Sequence, residues 1–234
     1  MPAYSNGLHF GSRIVFGKDG KLYVTTGDRF DRPNRLKVQQ LDNHYGKVMR
    51  INPDGSIPKD NPFVNKEGAK PEIWSLGHRN LQSAAFDLNG QLWTVEHGAK
   101  GGDELNLIKK GENYGWSIAT FGEEYSGQAI PDAKTEREGY VDPVYYWDPV
   151  IAPSGMQVYS GSAFREWKGN IFVGGLVSKR LVRLILKDNK VIGEEHLLID
   201  RGKRIRDVKQ GQDGFLYIVT DETNGELLRI STKK

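Results

Sequence analysis

Cysteine is missing from all 234 residues, so neither a disulfide framework nor a thiolate-held metal enters the reading. No apolar run approaches the roughly 18 residues that a membrane-spanning helix needs. Charge of one sign is lacking as well: 33 basic residues stand against 30 acidic ones, a net +3, which gives no global pull toward nucleic acid or a membrane surface. The opening residues, MPAYSNGLHFG, have no basic start and no apolar stretch, so no signal peptide is read there. GxGxxG, the P-loop, HExxH and GxSxG are all absent, which removes local support for nucleotide-dependent and serine-hydrolase chemistry. Long amphipathic helical periodicity is not found either.

What is present is a turn-rich β phrase that repeats. Residues 13–28 read as two short strands about the turn Asp19-Gly20. The pattern returns at 86–98 about Asn89-Gly90, at 211–222 about Asp213-Gly214, and more loosely at 167–177. Further strands are expected at 47–52, 72–77, 143–147, 156–161, 181–186 and 226–231. Uneven repetition of a strand-turn-strand unit points to an all-β, propeller-like architecture in a single domain spanning the chain. Residues 29–46, 53–71 and 117–142 read as long loops, which in a compact domain usually line a site. If each repeated run feeds a central axis, the polar residues that follow should converge there. These are Asp28, His97 with Gly98, Asp221 and, after the looser copy, Ser178, Lys179 and Arg180.

Candidate functional residues lie near those ends. His9 precedes the first hairpin, and Asp28 at its far end is placed to orient the imidazole. Arg79, in Gly77-His78-Arg79-Asn80, offers a planar fork for a carboxylate or quinone oxygen. Arg204 and Arg206 share one strand face, where two guanidiniums repel unless something negative lies between them; a polyanionic ligand, Asp207 or a solvated rim would each serve. In the 96–116 stretch, Gly98, Gly101 and Gly102 free the backbone to turn carbonyls inward beside Asp103 and Glu104, as a hard cation such as Ca2+ requires. A long polar hairpin loop with an exposed acidic tip is the other reading of that stretch.

Taken in order, GLHFGSRIVF, GDRFDRPN, EIWSLGHRN, EHGAKGGDELNLIKKGENYGW and RGKRIRDV resemble the soluble PQQ-dependent aldose sugar dehydrogenases, relatives of soluble quinoprotein glucose dehydrogenase. The resemblance runs from about residue 7 to the end of the chain. It implies a six-bladed β-propeller holding pyrroloquinoline quinone (PQQ) and Ca2+ at its axis, and oxidation of an aldose at C1 to the lactone with electrons passed to an external acceptor. It also implies a periplasmic or extracellular setting. By that resemblance His9 is the general base and Asp28 its partner. Arg79 and Asn80 contact the cofactor, with Arg79 stabilising charge on the quinone. The carbonyls of Gly98 and Ala99 hold the catalytic Ca2+, and Glu104 with the Tyr114 carbonyl a second, structural Ca2+. Tyr125 lines the cofactor site, and Arg204 and Arg206 meet the cofactor carboxylates. Either Val177 or Lys179 stands at the family's cofactor-lysine position.

There are departures. Leu81 and Ser83 replace the usual Pro and Gly, which is expected to alter the turn behind Arg79. The family's N-terminal blades and a quinone-contacting glutamine have no counterpart before His9. About four blades are therefore expected, an arc with an open strand edge, for which three explanations stand: a fragment of a longer enzyme, two chains of a homo-oligomer that cover each other's edges, or a short variant without PQQ chemistry. Two other functions stay open: a non-catalytic propeller binding Ca2+, sugar or a protein partner, and a Ca2+-dependent lactonase, against which the Arg204–Arg206 pair argues.

Overall fold

The computed structural model describes residues 7–131, 133 and 138–232; the start of the N-terminal stretch and part of the 117–142 loop lie outside the described residues. Four antiparallel sheets follow one another along the chain. The first holds β1 (Gly11–Phe16), β2 (Leu22–Thr26), β3 (Lys47–Ile51) and β4 (Ile73–Leu76). The second holds β5 (Leu81–Phe86), β6 (Leu92–Glu96), β7 (Asp103–Ile108) and β8 (Tyr145–Trp147). The third holds β9 (Pro153–Val158), β10 (Ile171–Gly175), β11 (Leu181–Lys187) and β12 (Lys190–Leu197), and the last β13 (Ile205–Gln210), β14 (Leu216–Thr220) and β15 (Leu227–Ile230). Each sheet is a meander in which sequence neighbours pair.

The repeated phrase has a physical basis in its turn. Asp19 accepts a hydrogen bond from the Lys21 N–H through one carboxylate oxygen and from the Tyr23 hydroxyl through the other. Asp213 does the same for Phe215 N–H and Tyr217 O–H. Asp87 serves Asn89 and Gln91 N–H groups and the Trp93 indole. One acidic residue thus closes each turn and fixes the first aromatic of the returning strand. Gly20 and Gly214 take φ of 73° and 78°, where a Cβ would be strained.

Sheets stack face to face through three apolar layers. Tyr23, Val48, Leu81, Leu92 and Ile108 fill the first. Trp93, Val95, Leu105, Met156, Ile171 and Val173 are among those filling the second, and Tyr159, Phe172, Leu181, Ile205, Val208 and Ile218 fill the third. The inner sheets are covered on both sides, so all five residues of β6 and all five of β10 are buried. In the last sheet β14 alternates instead. The first strands touch in succession, β1 on β5, β5 on β9 and β9 on β13. Arg13 on β1 reaches Asp207 on β13 at 3.4 Å, so the first and last sheets face a common axis.

The all-β expectation holds. The strands at the centre, however, are those before each turn, not the repeated runs after it. Both converge at one end because the hairpins are antiparallel: Gly11 pairs with Thr26 and Leu81 with Glu96. The 29–46 segment holds one short helix, α1 (Arg32–Lys37), capped by Asp31. Leu81 and Ser83 lie within β5 and not in a turn, and Ser83 Oγ accepts from Met156 N–H of the next sheet at 3.0 Å.

Phe172 is fully buried between the third and last sheets. Phe172→Ala is expected to cost about 3–5 kcal/mol, measured as a lower free energy of unfolding in urea.

Candidate active site

The site forms where segments entering the first strands meet segments leaving the second. His9 enters β1 with a φ of 50°, and Asp28 leaves β2. Gly27 lets them meet, because a Cβ there would lie 2.2 Å from the His9 carbonyl oxygen. His9 Nδ1 lies 2.7 Å from Asp28 Oδ1, which also accepts the Phe30 N–H at 2.8 Å. Asp28 Oδ2 accepts the Trp116 indole N–H at 2.7 Å. The Phe30 ring packs edge-on against the imidazole. Burial alone would raise the Asp28 carboxyl, but the hydrogen bond and charge of His9 and the charge of Arg79 outweigh it and hold the group below the usual carboxylate range. Burial pulls the His9 imidazole below its ordinary value despite Asp28, with the charges of Arg79 and Arg35 adding to the shift. His9 is therefore a neutral imidazole at neutral pH, and its Nε2 is the nitrogen outside the Asp28 pair.

Arg79 enters β5 and is locked from several sides. Its N–H donates to Glu96 Oε2 at 2.6 Å, and its carbonyl accepts the Asp28 N–H at 2.8 Å. The guanidinium lies 5.1 Å over the Trp116 ring, donates to the carbonyls of His97 and Gly98, and reaches the Tyr125 hydroxyl at 3.4 Å. Its Nε is buried with no hydrogen-bond partner. Asn80 lies 3.5 Å from His97 Nδ1, and His97 Nε2 lies 2.8 Å from the Pro153 carbonyl at the start of β9. Burial pushes the His97 imidazole down to about 4, against the pull of Pro153 and with the charges of Arg79, His9 and Arg206 adding to it. Neutral His97 donates through Nε2 and accepts at Nδ1, the tautomer that its two neighbours require.

The exposed acidic tip is not found. Asp103 and Glu104 open β7 and are buried, 1% and 8% exposed. Asp103 accepts the N–H groups of Gly98, Ile151 and Ala152 at 2.8–2.9 Å and so ties the 98–102 turn to the entry of β9. Burial nevertheless pushes its carboxyl up to about 6. Glu104 accepts from Asn106 at 3.1 Å. A cavity of about 10 Å³, room for one ion or water, is lined by Gly98, Glu96, Glu104, Tyr114, Trp116 and Thr120, among others. Among the described residues no three His, Cys, Asp or Glu side chains form a metal cluster. A cation there would draw on main-chain carbonyls and the few acids of that lining.

Arg204 and Arg206 do share a face, and the acid between them is Asp221 and not Asp207, which faces Arg13. Arg204 Nη2 lies 2.7 Å and Arg206 Nη2 3.0 Å from Asp221 Oδ2. These bonds, that of Arg206 foremost, hold the Asp221 carboxyl below its ordinary range. Both guanidiniums remain partly exposed. Tyr125 is 61% exposed but touches Arg79. Lys179 and Val177 are exposed in the turn after β10. Sequence reasoning missed Trp116 and Glu96, and it named Asp103 as a carboxylate for a cation and not as the anchor of the 98–102 turn. Each sits in the 96–116 stretch, but its role depends on contacts across sheets.

The family model for Glucose / Sorbosone dehydrogenase matches residues 1–229. The chain belongs to that family. It is 45% identical over 235 residues to aldose sugar dehydrogenase YliI of Escherichia coli, covering 100% of this chain and 62% of that one. Quinoprotein glucose dehydrogenase B of Acinetobacter calcoaceticus is 31% identical over 283 residues, covering 91% of this chain and 59% of that one. The crystal structure of the E. coli soluble aldose sugar dehydrogenase in its apo form superposes with a TM-score of 0.94 at 44% identity, covering 100% of this chain and 67% of that one. The PQQ-bound aldose sugar dehydrogenase of Streptomyces coelicolor gives 0.74 at 32% identity, covering 96% and 61%. This member of the glucose / sorbosone dehydrogenase family thus spans about three fifths of the length of each of those two curated relatives.

His97 sets a pH dependence with a fixed sign. Its folded-state value of about 4 lies below the ordinary 6.5, so between those values the unfolded chain binds more protons. Stability from this group is complete above pH 6.5 and is lost as pH falls through 4, a change of about 3 kcal/mol at most. Urea unfolding at a series of pH values should show that decline, and His97→Gln should flatten it.

Proposed function

We propose that the chain carries the site of a PQQ- and Ca2+-dependent dehydrogenase that oxidises aldose sugars at C1 to lactones. The observation that carries this reading is the His9–Asp28 pair, its carboxylate buried and its imidazole half-buried, bonded at 2.7 Å and set beside an arginine whose Nε has no partner. A neutral, oriented imidazole beside a fixed cation is suited to take a proton while negative charge builds nearby. The family match and the PQQ-bound relative support the cofactor assignment. The four sheets are read as blades of one propeller domain over residues 1–234, which the succession of touching first strands supports.

The residues present fit the cofactors. The unpartnered Arg79 Nε and the partly exposed Arg204 and Arg206 suit a small polyanion with quinone oxygens. Asn80 and Tyr125 flank Arg79, and Lys179 is a further cation for the same ligand. The Gly98 and Ala99 carbonyls would hold the catalytic Ca2+, and Glu104 with the Tyr114 carbonyl a structural one; Gly98, Glu104 and Tyr114 border the small cavity. When bound, PQQ with Ca2+ supplies the two-electron acceptor for the C1 hydride, and an external acceptor takes the electrons onward. His9 Nε2 takes the C1 hydroxyl proton. Asp28, held by Trp116 and Phe30, keeps Nδ1 protonated and stabilises the imidazolium that forms. Arg79 meets the charge that develops on the acceptor side.

The test is reconstitution of the chain with PQQ and Ca2+, followed by aldose-dependent dye reduction. His9→Ala should abolish turnover, at least a hundredfold in kcat, while the quinone absorption still reports binding. Retained turnover in that variant would remove His9 as base. Because burial lowers the imidazole, the acid limb of kcat/KM should lie below pH 6.5, with activity falling as pH drops through it. Ca2+ binding by a folded chain that takes up no PQQ would favour a binding scaffold instead.

A further inference from the structure

Lys47, the first residue of β3, is fully buried. Its Nζ donates to the carbonyl of Val38 at 2.7 Å and to that of Tyr45 at 2.6 Å. Among the described residues it pairs with no carboxylate; Asp42 is the acid whose charge reaches it. A buried ammonium without a counter-ion is costly, whereas a neutral amine has two N–H donors, one for each of the two carbonyls. Burial brings Lys47 down to about 7, in keeping with that count.

The two carbonyls close the 38–45 loop at both ends, and the loop packs on the candidate site. Val38, with Tyr45 against it, shares an apolar cluster with Trp116 and Ala99. Gln39 donates to the Trp116 carbonyl at 2.6 Å and exchanges hydrogen bonds with Asn113 at 2.7 and 3.3 Å. Trp116 in turn holds Asp28 through its indole N–H. We propose that Lys47 is a positioning residue, which ties the 38–45 loop to β3 and through that loop seats the Trp116 indole on Asp28. The catalytic consequence rests on the function proposed above; the seating itself does not.

The test is exchange of the indole N–H protons in the 15N-tryptophan-labelled chain. Trp93, whose indole donates to Asp87 at 3.1 Å in a hairpin turn, is the internal control. Lys47→Met keeps most of the side-chain volume and removes the donors. It is expected to speed exchange of the Trp116 indole proton at least tenfold with Trp93 unchanged. Gln39→Ala, at a half-buried position, leaves Lys47 intact and should release the Trp116 proton selectively as well. An unchanged Trp116 signal in either folded variant, or equal loss at both indoles, overturns the proposal. If Lys47→Met does not fold, Gln39→Ala decides the question alone. In cofactor-loaded protein, both variants should lower kcat with KM for the sugar little altered. A parent chain that is inactive when loaded counts against the proposed function and leaves the indole result standing.

Discussion

The carboxylate of Asp28 is shut off from solvent, and three separate pieces of chain are folded around its charge. A buried carboxylate left without partners costs several kcal/mol, so its surroundings have little freedom. The imidazole comes from the segment before β1, the Phe30 N–H from the turn after β2, and the indole from the segment between β7 and β8. The same residue's N–H donates to the Arg79 carbonyl, which links the entry of the second sheet to the exit of the first. Much of the site geometry follows from satisfying this one group.

Charge at the site is arranged in two regimes. Near Asp28, Arg79 and Arg35 lie over the Trp116 ring at 5.1 and 5.0 Å, and their fields together with burial keep His9 neutral. At the rim, Arg204 and Arg206 are neutralised in part by Asp221 and stay in contact with water. The inner region offers fixed dipoles and, among the described residues, two unpartnered guanidinium N–H groups, the Nε of Arg79 and that of Arg35. The outer region offers charge that a ligand can share with Asp221.

The hairpins were legible because Asp-Gly and Asn-Gly turns are short-range signals, and here the turn acid also fixes the next aromatic. His9, Asp28 and Arg79 were legible because they adjoin those hairpins and match a known order of motifs. The 96–116 stretch misled in part. Its glycines suggested a loop, yet Asp103 and Glu104 begin a buried strand, since Asp103 finds three N–H donors on chain segments up to 49 residues away. β12 was missed because it is a polar edge strand with no apolar run to announce it. The Trp116–Asp28 bond spans 88 positions and the Gln39–Trp116 bond 77, and no local pattern encodes either.

The hairpin turns give the molecule two poles. Every residue assigned to the site lies at one pole, where first strands begin and second strands end. The turns closed by Asp19, Asp87 and Asp213 lie at the other, a strand length away. Those turns are held by their own local bonds together with Arg50 on Asp19, Lys18 on the Leu88 carbonyl and Tyr159 on the Gly214 carbonyl, and among the described residues they exchange no hydrogen bond with the site residues. Chemistry and chain reversal are therefore separated in space. The turn pole can take an insertion or be fixed to a surface without touching the proton path, while at the opposite pole the residues around Asp28 are each bound to one another.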